Sequence, residues 1–150
     1  MRLQSPAAAA LAAAALAAAV AGCGFDDKLT GRGFVKAGDL LCGEAIGRSF
    51  IAVQSTPGGA SNLDAEGVAT IARSYARIAD GLRGLELREE DDAMRDEMVR
   101  RYSETAEQIG AAAGDPAGPV EVVVAIEELR PFAPELRDYG FRVCGGREPV

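Results

Sequence analysis

The chain has 150 residues, enough for one domain, and its 48% hydrophobic and 26% charged residues are typical of a globular protein. It contains no histidine, which excludes His-based catalytic triads and removes the commonest transition-metal ligand. Its formal net charge of -7 argues against nucleic acid as a partner, because phosphate backbones are bound by basic surfaces.

Residues 1–22 have the features of an export signal. Arg2 supplies a positive start, and residues 7–21 form an uncharged stretch of alanine, leucine and valine, as in the apolar core of a signal peptide. The junction Val20-Ala21-Gly22-Cys23 then gives an aliphatic residue, two small residues and a cysteine. This junction resembles the lipobox of bacterial lipoproteins.

The resemblance to bacterial lipoproteins implies specific chemistry at this junction. Cleavage is expected between Gly22 and Cys23, with diacylglycerol on the Cys23 sulfur. Several acyl chains on one residue anchor stably, whereas one chain binds only marginally. The predicted location is the extracytoplasmic side of the cell membrane or outer membrane. An ordinary secretory signal and a retained transmembrane helix are the alternatives, the second weakened because alanine partitions poorly into lipid.

The segment 23–37 is predicted to comprise the lipidated cysteine and a flexible tether. Its glycines and charged residues follow no steady period. Fully extended, such a tether reaches roughly 45–50 Å, which would hold the domain clear of the lipid head groups. Asp26-Asp27 is interpreted as part of this solvated tether, with a role in sorting between membranes as the alternative.

The folded domain is predicted over residues 38–146, followed by a C-terminal tail at 147–150. Its first helix is expected over residues 39–55, ending before Pro57-Gly58-Gly59. The apolar residues at steps of three and four predict its inward face: Cys42, Ile46, Phe50 and Val53.

The second helix has the clearest apolar period. Ser61 and Asp64 have a spacing like that of a capping box. The predicted buried face then consists of residues at alternating steps of three and four: Val68, Ile71, Tyr75, Ile78, Leu82 and Leu85. A stripe of alanines beside this face would let a neighbouring helix approach closely.

The third helix is predicted to begin at the acidic run 89–92, because carboxylates are favoured at helix N-termini. A divalent-cation site is the alternative, although the calcium-loop pattern does not occur. The inward face is predicted to be Met94, Met98, Tyr102, Thr105 and Ile109. The two methionines are interpreted as core residues.

Gly118-Pro119 predicts the start of a fourth helix, because proline suits the first helical position. The consecutive valines within 120–126 leave a β-strand as an alternative, although no second segment of that type exists to pair with it. Helical spacing continues past Pro131 to Tyr139, and a kink or a break is expected at the proline.

The chain has three cysteines. If Cys23 carries lipid, Cys42 and Cys144 are left as an even pair in an oxidising compartment, which predicts a disulfide. In the loop-entropy model, closing a loop of about 100 residues stabilises the fold by roughly 4–5 kcal/mol. A redox-active or metal-binding pair and two unpaired core thiols are the alternatives, and no Cys-x-x-Cys motif supports the first.

The predicted fold is therefore all-α, a small antiparallel bundle of about four helices closed by one disulfide. The mature part loosely resembles small helical lipoproteins of unassigned function that have one early and one late cysteine. That likeness implies no activity. No catalytic constellation, cofactor motif or metal-ligand pattern is found in the sequence.

The sequence thus favours a non-catalytic module that binds another envelope protein or a cell-wall component. A binder of a small apolar ligand or a cation is the first alternative, with Tyr75, Tyr102 and Phe132 as possible lining of an inter-helix pocket. A packed core with tyrosine hydroxyls at its rim is the structural interpretation of the same residues. An envelope enzyme that uses Asp or Glu is the second alternative.

Overall fold

The structure, a computed structural model, describes residues 28–146. Over this range the chain is all-α, as predicted, and forms no β-strand beyond one bridge between Leu29 and Leu87. The helices are α1 (Gly31–Gln54), α2 (Ala65–Arg83), α3 (Glu89–Ala111), α4 (Gly118–Glu127) and the short α5 (Ala133–Tyr139). Two 3-10 turns, Gly59–Asn62 and Arg130–Phe132, lie between them.

The first helix begins earlier than predicted, and this corrects the boundary of the tether. Helix α1 starts at Gly31, so residues 31–37 are helical rather than flexible. Phe34 is the reason: it is fully buried and meets the rings of Tyr139 and Phe141 edge-on, with centroids 5.9 and 5.2 Å away. Burial of this one aromatic offsets the poor helix propensity of the surrounding glycines.

The buried face of α1 also differs from the prediction. Phe34, Gly38, Cys42 and Ala45 are buried, whereas Ile46 and Phe50 are exposed. Both series have helical spacing and share Cys42, so the period alone cannot choose between them. The C-terminal segment, residues 130–146, determines which face is buried, because its Tyr139 and Phe141 pack on the Phe34 side of the helix.

Helix α2 is central and packs against both α1 and α3. Most of its predicted inward face is buried: Val68, Ile71, Ile78 and Leu82. Asp64 alone caps this helix, by accepting a hydrogen bond from the backbone N–H of Gly67 at 2.8 Å. Ser61 lies in the preceding 3-10 turn and takes no part in a capping box.

The core has two clusters, one at each end of the bundle. The first joins α1, α2 and α3 to the C-terminal segment through residues that include Phe34, Leu82, Met98, Phe132, Leu136 and Phe141. The second lies under α4 and includes Leu63, Val68, Ile71, Ile109, Val122 and Ala125. The last part of the chain therefore covers both ends, which requires it to change direction between them.

That change of direction occurs at Pro131. The valine-rich segment is helical, and α4 ends at Glu127, followed by the turn at Arg130–Phe132 and by α5. Proline lacks an N–H donor and its ring displaces the preceding turn, which kinks or breaks a helix. The expected kink or break is thus a break.

The Cys42–Cys144 disulfide closes the domain, with the two Cα atoms 5.3 Å apart. Asp39, nearly one turn before Cys42, strengthens the same junction. Its carboxylate accepts hydrogen bonds from the backbone N–H groups of Arg142, Val143 and Cys144 at 2.9, 2.8 and 3.0 Å. The C-terminal segment is therefore fixed to α1 by a covalent bond and by a charged acceptor.

Candidate binding groove

An apolar groove lies between α1 and α4 and encloses a cavity of about 330 Å³. We call it the α1–α4 groove. The residues that build its floor and walls include Ala45, Ile46, Tyr75, Ile78, Tyr102, Phe132, Leu136 and Val143, together with the Cys42–Cys144 disulfide. The groove exists because α1 packs on α2 while α4 packs mainly on α3, and because α4 ends before it could cover the gap.

The three residues that the sequence suggested as pocket lining come together here. Tyr75, Tyr102 and Phe132 all line the groove, and the two tyrosine rings lie 6.2 Å apart between centroids. Arg101 covers the outer face of Phe132, with its guanidinium carbon 4.5 Å from the ring centroid. Occupation of the groove by a ligand stays a prediction.

The hydroxyl groups of the two groove tyrosines have weak partners or none. Tyr102 is 5% exposed and donates only to the Cys42 sulfur, at 3.5 Å, and sulfur is a weak acceptor. The Tyr75 hydroxyl has no hydrogen-bond partner among residues 28–146, and it is not among the buried unsatisfied atoms of that range, so solvent reaches it. Burial raises the pKa of both hydroxyls, so both are protonated donors at neutral pH.

The third tyrosine behaves differently and lies outside the groove. Tyr139 donates a short hydrogen bond to Asp91. Burial and this bond raise the pKa of Tyr139 to about 12. Only this tyrosine of the three has a charged acceptor within the described part of the chain.

The rim of the groove is apolar. Ile46 and Phe50 on α1 are 55% and 61% exposed, and Val123 on α4 is 52% exposed. Phe50 lies one turn beyond Ile46, and Val123 lies one turn before the groove residues Ile126 and Glu127, so each extends the apolar surface outward.

The charges at the groove neutralise one another. Glu127 and Arg130 stand at its mouth and form an ion pair at 2.7 Å. An exposed pair of this kind contributes little stability. Glu127 is the single carboxylate among the described residues that line the groove, so this site offers no carboxylate pair for acid–base chemistry.

The acidic run 89–92 forms the first turn of α3, where the helix dipole favours carboxylates. Asp91 is 4% exposed, and its second carboxylate oxygen has no partner in the described part of the chain. No group of three potential metal-ligating His, Cys, Asp or Glu side chains occurs within residues 28–146. The structure thus places the run where the sequence predicted it, at the start of α3.

Sequence reasoning missed two features near this site. The Asp39 contacts to Arg142, Val143 and Cys144 join positions more than 100 residues apart, and no local sequence pattern predicts them. The groove itself depends on where α4 ends relative to α1. Periodicity predicts which residues point inward, but not whether the helices leave a gap between them.

The predicted lipid site at Cys23, the cleavage site after Gly22 and the Asp26-Asp27 pair lie outside the described residues. None of the helices within 28–146 combines the length and the apolar character needed to cross a membrane. No protein-family model, curated protein or solved structure matches this chain.

Proposed function

We propose that the protein is a lipid-anchored, non-catalytic protein of the cell envelope that binds another envelope protein through the α1–α4 groove. The observation that carries this proposal is the groove itself, with its apolar interior and exposed apolar rim. Contiguous exposed apolar surface is unusual on a monomer and marks sites of interaction.

The character of the rim favours a protein segment over a cell-wall glycan. Ile46, Val123 and Val143 are aliphatic, and Phe50 is the one large aromatic among the described residues that is mostly exposed. Glycans present hydroxyl groups that need hydrogen-bond partners, which this rim does not supply. An amphipathic helix of a partner protein suits it better, with its apolar side chains seated in the groove.

The anchor is supported by the lipobox resemblance at Cys23, and the fold adds a constraint on its length. Leu29 is already fixed to the domain, because its backbone N–H donates to the Glu86 carbonyl at 2.9 Å. The chain from Cys23 to Leu29 spans at most roughly 20 Å. An anchored domain would therefore stay close to the membrane, and its partner would have to reach that surface.

Labelling with a radioactive fatty acid tests the anchor. The wild-type chain is expected to incorporate label, whereas Cys23→Ser is expected to incorporate none and to be released or mis-sorted. Cys42→Ser serves as the matched control, because it also removes a thiol but leaves the predicted acylation site intact. Equal labelling of wild type and Cys23→Ser would overturn the anchor.

Site-specific photo-crosslinking in intact cells tests the partner. A photoreactive residue at Ile46 or Phe50 is expected to give one defined protein adduct. The same probe at Leu40, which is 64% exposed on α1 but does not line the groove, is expected to give none. Val123→Asp should abolish the Ile46 adduct. Equal adducts from all three positions, or none at the rim, would contradict the proposal.

A small apolar ligand is the second candidate occupant, and the cavity favours it. Its volume of about 330 Å³ lies at the lower end of the range of roughly 300–1,000 Å³ that is common for ligand sites. In the crosslinking experiment this occupant would add a small mass to the chain in place of a second protein. No observation favours the enzyme alternative.

A further inference from the structure

We infer that the α1–α4 groove takes a neutral, mainly apolar molecule with a hydrogen-bond-accepting oxygen, such as an ester or ketone carbonyl, which the hydroxyl of Tyr75 or Tyr102 binds. This inference rests on the second candidate function, the binding of a small apolar ligand. It goes further because it assigns the chemical class of the ligand and the residues that recognise it.

First, the Tyr75 and Tyr102 hydroxyls lack oxygen acceptors within the described residues. Tyr75 has no partner for its hydroxyl within residues 28–146, and Tyr102 has only the Cys42 sulfur at 3.5 Å. The buried Tyr102 hydroxyl has only a weak sulfur acceptor, and a ligand oxygen would give it a better one. The Tyr75 hydroxyl is reachable by solvent, so a ligand oxygen there would take the place of water. Both tyrosines line the groove, and their ring centroids are 6.2 Å apart.

Tyr139 differs from the two groove tyrosines. Tyr139 lies away from the groove, and there the chain supplies a carboxylate acceptor from Asp91. At the groove floor the chain supplies two donors and no oxygen acceptor for them in the described residues. An oxygen acceptor for these donors must therefore come from outside the protein, either from water or from a ligand that replaces it.

The second step is the charge of the ligand. Glu127 and Arg130 are paired with each other at the mouth, and the other lining residues are uncharged. An anion would require an unpaired cation at the floor, and a cation would require an acceptor there. A neutral oxygen fits the donors without burying a charge.

The third step is size. A cavity of about 330 Å³ accepts a small amphiphile or one acyl chain with its carbonyl, but not a whole diacyl lipid. The groove is open at its rim, so an apolar tail can continue past Ile46 and Phe50. With such a ligand, Ile46 and Phe50 would cover its apolar tail.

Two isosteric probes test the inference: 2-acetylnaphthalene, which carries a carbonyl oxygen, and 2-isopropenylnaphthalene, which has a methylene group in its place. The protein is the mature chain with Cys23→Ser, which retains both core clusters and the disulfide. Dissociation constants for both probes are measured by calorimetry, and circular dichroism verifies that each variant is folded. The informative quantity is the preference for the ketone over the alkene.

Removing the relevant hydroxyl is expected to reduce this preference by roughly 2- to 10-fold, with little change in the affinity for the alkene. Tyr75→Phe and Tyr102→Phe are tested separately, and a reduction in either supports the inference. Tyr139→Phe is the matched control and is expected to leave the preference unchanged.

The outcomes separate this inference from the function on which it rests. If both probes bind and neither groove variant alters the preference, the oxygen-recognition inference is overturned while apolar-ligand binding survives. If neither probe binds to the folded wild-type chain, the ligand-binding candidate fails and the inference fails with it.

Discussion

The two halves of α1 face different surroundings. The N-terminal half carries Phe34 and Asp39 and is covered by the C-terminal segment, which is held by aromatic packing, three backbone hydrogen bonds to one carboxylate and a disulfide. The C-terminal half carries Ile46 and Phe50 and is left open on the α4 side. Helix α1 is thus attached to the C-terminal segment at one end, through Asp39 and Cys42, and forms a wall of the groove at the other. We call the attachment the α1–C-terminal junction.

This difference explains how a small domain keeps an apolar groove open. Exposed apolar surface tends to collapse, because its burial is favourable by about 25 cal/mol per Å². The C-terminal segment forms part of the groove wall through Leu136, Val143 and Cys144. Its attachment to Asp39 and Cys42 fixes that wall in place.

The largest expected effect on stability is that of removing the disulfide from the α1–C-terminal junction. Cys144→Ser is expected to lower the free energy of unfolding by roughly 4 kcal/mol, because the disulfide closes a loop of about 100 residues. Urea unfolding with and without a reductant measures this. Reduction should give no further loss in the variant, and unequal stabilities of reduced wild type and Cys144→Ser would contradict the account.

A matched pair of phenylalanines on α1 tests the comparison most directly. Phe34→Ala is expected to destabilise the fold by roughly 3–4 kcal/mol, because it empties a fully buried site. Phe50→Ala, at a position that is 61% exposed, is expected to change stability by less than about 0.5 kcal/mol. Chemical denaturation of the two variants side by side gives both values, and similar losses would mean that the two halves do not differ.

Replacing Asp39, the carboxylate acceptor at the α1–C-terminal junction, should reduce stability less than removing the disulfide. Asp39→Ala is expected to cost about 2 kcal/mol, since three N–H groups lose a carboxylate partner at once. Glu44→Ala, at an exposed position on the same helix, is the control and should be close to neutral. Hydrogen exchange at Arg142, Val143 and Cys144 should accelerate only in the Asp39 variant.

The tyrosines give the smallest and most pH-dependent contrast. Tyr139→Phe is expected to cost about 1.5 kcal/mol at neutral pH, because Asp91 stays buried without its donor. Tyr75→Phe, which removes no protein hydrogen bond, should be within about 0.5 kcal/mol of wild type. Urea titrations of both variants at pH 7 measure the difference.

The pH dependence of Tyr139 has a definite sign. Its pKa is raised in the folded state to about 12 from an ordinary value of 10.0, so folding favours the protonated hydroxyl. The stabilising contribution is complete below pH 10 and is lost as the pH rises towards 12. The advantage of wild type over Tyr139→Phe should therefore shrink across that interval, and a constant difference would argue against the Asp91 bond.

The local spacing of apolar residues was sufficient to predict much of the fold. The inward face of α2 and the interruption at Pro131 follow from the spacing of apolar residues and from the chemistry of proline. The tyrosines Tyr75 and Tyr102 were placed on inward faces for the same reason, and both line the groove. Such features depend on neighbours within one or two helical turns.

The features that escaped prediction depend on distant partners. Phe34 stands among glycines and charged residues, and only Tyr139 and Phe141, far along the chain, give it a buried site. For the same reason, the start of α1 and the choice of its buried face could not be inferred locally. The groove needs both the position of α4 and its end at Glu127, which are properties of the assembled bundle.

The placement of the disulfide links redox chemistry to occupancy. Both Cys42 and Cys144 line the groove, so the bond between them is also part of the surface that a guest would cover. A bound guest would shield the sulfurs from attack by external thiolates. By mass action, whatever binds only the oxidised form makes that form harder to reduce. The resistance of the Cys42–Cys144 disulfide to a reductant would then measure the fraction of protein molecules whose groove is occupied.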